Sequence, residues 1–215
     1  VFLSNAPRPR EYVRQHLTDM GLSHDLTDLV VTSGGLARDE VRNHFAGSCL
    51  YHLGPESDFN TIEGLPVTLV SHPDKADVIL ATDLDFPDIE RHREHLQKAA
   101  SRNIPFLCAN PDRVVHVGQH LYYCAGAVAD LYEGMGGTVK WYGKPATGSF
   151  HACLKETGMI NLAPERVLMI GDSLKTDITG AVNIGFESLL ITNGIHRNEL
   201  SGLTDGFSTD IFTRT

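Results

Sequence analysis

Short apolar runs alternate with longer amphipathic stretches along most of the chain. The runs at 1–3, 29–31, 49–54, 67–71, 77–83, 105–110, 138–143, 167–172 and 187–192 predict buried strands, several closed by small polar residues. Between them, helical spacing of apolar positions predicts helices over 11–20, 40–45, 127–135, 148–157 and 177–183, with the longest over 89–102. Two β-rich runs separated by a glycine-containing break around Gly118 predict a hairpin. Strands that alternate with helices in this way predict an α/β fold, a doubly wound and largely parallel sheet covered on both faces.

Composition narrows the class. The 215 residues are 41% hydrophobic and 21% charged, which is globular usage with room for one large or two modest domains. Net charge is −9 with a pI near 5.6, which disfavours nucleic acid as the main partner because such binding leaves a basic footprint. No apolar run reaches the roughly 18 residues of a membrane span, so no membrane partner is expected. Cys49, Cys108, Cys124 and Cys153 are far apart without C-x-x-C pairing and read as buried thiols of a reducing, cytoplasmic compartment.

Ligands of parallel α/β sheets sit beyond the carboxyl ends of strands, so the residues closing each run are the first candidates. Three closures stand out: Ser4-Asn5 after VFL, Gly143-Lys144-Pro145 after VKWY, and Gly171-Asp172-Ser173 after VLMI, with Asp177 five residues beyond Asp172. A hydroxyl and backbone N–H groups at a strand end hold phosphate oxygens, a lysine is a point cation for the same group, and a carboxylate pair at a strand-to-helix turn suits Mg²⁺. Each is also an ordinary turn, loop lysine or helix cap when taken singly. Their order and shared location at strand ends carry the signal.

In that order, VFLSN, GKP and GDSLKTD resemble the second, third and fourth motifs of the haloacid dehalogenase superfamily of phosphohydrolases. The long insert between the second and third motifs, with TSGG, CANPD at Cys108–Asp112 and CAGAVADLYEGMGG, resembles the class IIA branch with its large α/β cap. The resemblance runs nearly end to end, including the closing ITNGIH. It implies a core of about 1–46 with 126–215 around a cap of about 47–125, and a Mg²⁺-dependent phosphatase of small phosphorylated metabolites, sugar phosphates or nucleotides, acting through a phosphoaspartyl intermediate. It also implies that Ser4 hydrogen-bonds the transferring phosphoryl group with Asn5 beside it, and that Lys144 stabilises negative charge. Asp172 would ligate Mg²⁺, with Asp177 supporting the site directly or through water. Asn110 and Asp112 face the substrate in the same reading, and class IIA caps often take part in homodimers.

The family's first motif, a D-x-D that supplies the nucleophile and the general acid/base, belongs upstream of VFLSN. The D-x-D in this chain, Asp83-Leu84-Asp85, lies inside the insert and leads into Phe86-Pro87. In the family's sheet the first-motif strand lies between the strands ending in Ser4 and Asp172. Losing it exposes backbone groups at about 1–3 kcal/mol each when unsatisfied. The expectation is therefore a native polypeptide longer by roughly 30 to 40 residues at its N-terminal end, with the 215-residue chain alone inactive. The alternative is a non-catalytic phosphate-binding or regulatory protein that kept the cradle and lacks the nucleophile.

Other patterns are weaker. His92 and His95 in RHREH are three apart, not the H-E-x-x-H of a zincin, and read as a polar helical face. His196 reads as a turn histidine. GSFHAC lacks G-x-S-x-G, and Gly136-Gly137 ends a helix without forming a dinucleotide fingerprint.

Overall fold

The structure, a computed structural model, describes residues 1–117, 120–197 and 199–200. It divides into two compact units, Val1–Gly143 and Lys144–Thr215.

In the first unit, β1 (Phe2–Ser4) pairs in parallel with β2 (Val30–Thr32), in a register that sets Ser4 beside Thr32. Between them runs α1 (Arg10–Asp19), which begins directly after Pro9. Thr32, the last residue of β2, caps α2 (Ser33–His44) by accepting from the Gly35 N–H at 2.9 Å, so TSGG closes the strand and opens the helix. A five-stranded parallel sheet follows in the order β4-β3-β5-β6-β9. Its strands are β3 (Cys49–Leu53), β4 (Thr68–Leu69), β5 (Val78–Ala81), β6 (Phe106–Cys108) and β9 (Val139–Trp141). The expected hairpin is β7 (Val114–Val117) against β8 (His120–Tyr123).

Period-two alternation gives the sheet two apolar faces. Leu50, Val78, Leu80 and Leu107 pack with Ala37 and Val41 of α2, so this helix joins the core of the five-stranded sheet. Tyr51, Leu53, Ile79 and Phe106 face α3 (Ile89–Ser101) and α4 (Ala125–Gly134), where Leu96, Val128 and Tyr132 meet them. Burial at these positions is nearly complete, and apolar area removed from water contributes about 25 cal/mol per Å².

His92 corrects the reading of a polar helical face: it is fully buried. Its Nδ1 donates to the Asp88 carbonyl at 3.1 Å and its Nε2 accepts from the Asp85 N–H at 3.2 Å, so the neutral ring is satisfied at both nitrogens. Burial holds its pKa below the usual 6.5, with Asp85 opposing and His95 reinforcing the shift. Below that value the unfolded chain binds a proton that the native one does not, so stability falls as pH falls. The thermal midpoint is expected to drop by on the order of 5 °C from about pH 7 to about pH 5.5, and this slope flattens in His92→Leu. An unchanged slope in that variant would remove His92 from the account.

In the second unit, α5 (Thr147–Glu156) precedes β10 (Leu168–Gly171), and a π-turn over Leu174–Ile178 leads into α6 (Thr179–Ile184). β11 (Glu187–Leu190) pairs in parallel with β10. Every pairing among the described strands is parallel except the hairpin, as the alternation of elements predicts. Among the described residues β1 and β10 each have one neighbouring strand, and Leu168 and Ile170 of β10 are more than half exposed. No helix is long and apolar enough to cross a membrane among the described residues.

Candidate active site

Ser4 and Asn5 leave the carboxyl end of β1 into a loop with two prolines, which donate no backbone N–H, and side chains take up several of its carbonyls. Its carbonyls are taken one by one. Ser33 Oγ donates to Ala6 O at 2.9 Å, Thr61 Oγ1 to Pro7 O at 2.6 Å and Thr32 Oγ1 to Arg8 O at 2.7 Å. The Arg8 guanidinium pairs with the buried Asp58 carboxylate and anchors the far end. Ser4 Oγ accepts from the Ala6 N–H at 3.1 Å, which fixes the hydroxyl and leaves its proton to be donated elsewhere.

The CANPD turn comes to this loop. Asn5 Nδ2 donates to Asp112 Oδ1 at 3.2 Å, across 107 residues of sequence. Asn110 shapes that turn, its Oδ1 accepting from the Asp112 N–H at 3.3 Å. Gly143 has a φ of +104°, and a Cβ there would stand 2.6 Å from Asn5 Oδ1 and 2.9 Å from Pro111 Cγ, so both conformation and space demand glycine. Of the candidates in the first unit, Asn5 and Asp112 thus meet, Asn110 holds the Asp112 N–H, and Ser4 stays within its own loop. Sequence reasoning missed Thr32, Ser33 and Thr61. Their signal is the row of hydroxyl residues facing a proline loop that cannot satisfy itself.

In the second unit Lys144, Asp172 and Asp177 meet at the acidic turn after β10. Asp177 is almost fully buried, and its Oδ2 accepts from the Asp172 and Ser173 N–H groups at 3.1 and 3.0 Å. Its Oδ1 lies 2.7 Å from Lys144 Nζ, a buried ion pair. Asp172 Oδ2 accepts from the Ile195 N–H at 2.9 Å, and Oδ1 takes no hydrogen bond among the described residues.

The donor set fits Mg²⁺ in part. A hard cation that keeps waters takes one or two carboxylates, and Asp172 offers a fixed carboxylate with one oxygen uncommitted. Asp177 has both oxygens engaged, which suits support of the turn. No cluster of three or more His, Cys, Asp or Glu side chains forms a metal site among the described residues, His92 and His95 included. The thiols of Cys49, Cys108, Cys124 and Cys153 are all free, two buried and two half-buried. Burial pushes Cys124 up to about 11.

Residues 141–209 match the family model described as HAD-hyrolase-like. A hydrolase of the haloacid dehalogenase-like family from Brucella suis 1330 superposes with a TM-score of 0.77 at 36% identity, covering 91% of this chain and 76% of that one. The chain belongs to the haloacid dehalogenase-like family. Ribonucleotide monophosphatase NagD of Escherichia coli (strain K12) is 31% identical over 91 residues, 42% of this chain, and the match spans about a third, 34%, of that protein. The glycerol phosphate phosphatase Rv1692 of Mycobacterium tuberculosis, solved in complex with calcium, is 25% identical with a TM-score of 0.67 over 89% of this chain and 56% of that one. Homologues of this haloacid dehalogenase-like protein are therefore phosphatases.

Proposed function

We propose that this protein is a Mg²⁺-dependent phosphatase of small phosphomonoesters, sugar phosphates or nucleotides. The observation that carries the reading is the acidic turn, where Asp177 organises the backbone, holds Lys144 and leaves Asp172 as the outward carboxylate. Mg²⁺ bound at Asp172 would supply charge neutralisation for the phosphoryl oxygens. Ser4 donates its hydroxyl proton to a phosphoryl oxygen and Asn5 orients beside it. Lys144 adds positive charge where negative charge accumulates, and Asn110 with Asp112 faces the rest of the substrate. Phosphoryl transfer asks for this division, because positioning and charge neutralisation dominate its catalysis.

The nucleophile in this reading is an aspartate upstream of Val1, and transfer proceeds through a phosphoaspartyl intermediate. A cap of about 47–125 would close over the substrate and exclude bulk water. A cytoplasmic setting belongs to the same reading, in which the four thiols, far apart in sequence, stay unpaired. Val114, Val115, Leu121, Tyr122 and Tyr123 leave the hairpin apolar and exposed, which supports a homodimer that sedimentation of the full-length protein reads as twice the monomer mass.

The alternative is a non-catalytic phosphate binder that lacks the nucleophile. Asp85 of the D-x-D accepts from the Gly54 N–H at 2.8 Å and from the Tyr51 hydroxyl, which commits that carboxylate to the loop. Hydrolysis of p-nitrophenyl phosphate by the full-length product, with and without Mg²⁺, separates the two. Mg²⁺-dependent release of phosphate is expected, and no turnover in protein confirmed to carry an upstream D-x-D would establish the binder.

A further inference from the structure

From the end of β11 the chain runs back over the acidic turn. Gly194 passes so close to Asp172 that a Cβ there would stand 2.2 Å from the aspartate's Cβ and 2.3 Å from Oδ2. Only a glycine leaves room for that crossing. The next residue, Ile195, donates its N–H to Asp172 Oδ2 at 2.9 Å. The one after, His196, accepts the Leu174 N–H on Nε2 at 3.3 Å.

The turn's amides can then be assigned in sequence. Asp172 and Ser173 donate to Asp177 Oδ2, Leu174 donates to His196, and Thr176 donates to Ser173 Oγ at 3.2 Å. His196 is the one acceptor in that set that comes from outside the turn. Because Nε2 accepts an N–H, it carries no proton. The ring proton is therefore on Nδ1, which lies 2.8 Å from Glu199 Oε2 and donates to it. The His196 side chain is only 12% exposed while that of Glu199 is 72% exposed, so the carboxylate orients the ring from the solvent side.

We propose that His196 is a positioning residue of the Asp172 site. Glu199 fixes its tautomer, His196 holds the Leu174 amide, and this pins the strap whose Ile195 N–H aims the Asp172 carboxylate at a divalent cation. The proposal rests on the reading that Asp172 holds Mg²⁺, and it assigns to the ITNGIH segment a function that its motif does not reveal. Outer partners that orient a ligand typically control metal affinity by about 10- to 100-fold.

The test uses the full-length protein and Mg²⁺ alone, with calorimetry for binding and amide hydrogen exchange for Leu174. His196→Leu keeps volume and removes the acceptor, whereas His196→Gln places Oε1 near the position of Nε2. His196→Leu is expected to speed Leu174 exchange and weaken Mg²⁺ binding about 10-fold, with His196→Gln restoring it to within about 2-fold of the parent. If His196→Leu does not fold, Glu199→Ala carries the test from the surface, with an expected loss of about 2- to 3-fold. Glutamine as damaging as leucine, or unchanged affinity in Glu199→Ala, would overturn the proposal. Mg²⁺ binding that is lost in Asp172→Ala yet unaffected by His196→Leu overturns the proposal alone. Mg²⁺ binding indifferent to Asp172→Ala overturns the metal reading beneath it.

Discussion

Asp172→Asn is expected to lower Mg²⁺-dependent hydrolysis of p-nitrophenyl phosphate by the full-length protein by about 100-fold or more. The carboxylate stands at the carboxyl end of β10, with Oδ2 fixed by Ile195 and Oδ1 uncommitted among the described residues. An asparagine can still accept from the Ile195 N–H, so the turn keeps its hydrogen bond and loses only the charge. The thermal midpoint should therefore stay within a few degrees while turnover collapses, and the Mg²⁺ concentration for half-maximal rate should rise. A variant that keeps both turnover and its Mg²⁺ requirement would remove Asp172 from the metal site.

Asp177→Ala should act first on stability. It deletes the acceptor for two backbone N–H groups and removes one side of the buried pair with the Lys144 ammonium, whose side chain is 14% exposed. Breaking a buried pair from one side costs about 3–5 kcal/mol, whereas replacing both partners by apolar groups is far milder. Urea unfolding should show that loss in Asp177→Ala and a partial recovery in the Lys144→Met, Asp177→Leu double variant. Turnover should be lost in both, because the double variant regains packing but no cation. If Asp177→Ala costs under about 1 kcal/mol, the pair is solvated and its organising role falls.

The two carboxylates of GDSLKTD thus divide their work, and the spacing alone shows only that both are near one strand end. The same limit applies to His196, which reads as a turn histidine until its partner at Leu174 is known. His92 shows the opposite failure. Its neighbours in RHREH are charged, which suggests a solvated face, yet the loop over Asp85–Asp88 covers the ring and satisfies both nitrogens. In Asp83-Leu84-Asp85, which resembles catalytic spacing, the Asp85 carboxylate ties Tyr51 and Gly54 to the loop after β5.

The sequence by itself determined the element order, the parallel α/β class and the family. These follow from local periodicity, from what closes each apolar run, and from the order of three short motifs. Only the tertiary structure decided that Asn5 meets Asp112, that α2 packs on the five-stranded sheet, and that a strap from β11 holds the acidic turn. The reason is physical. Helix and strand periods are written in neighbouring residues, whereas a loop's hydrogen-bond partners are set by which distant donors and acceptors the packed elements bring within about 3 Å.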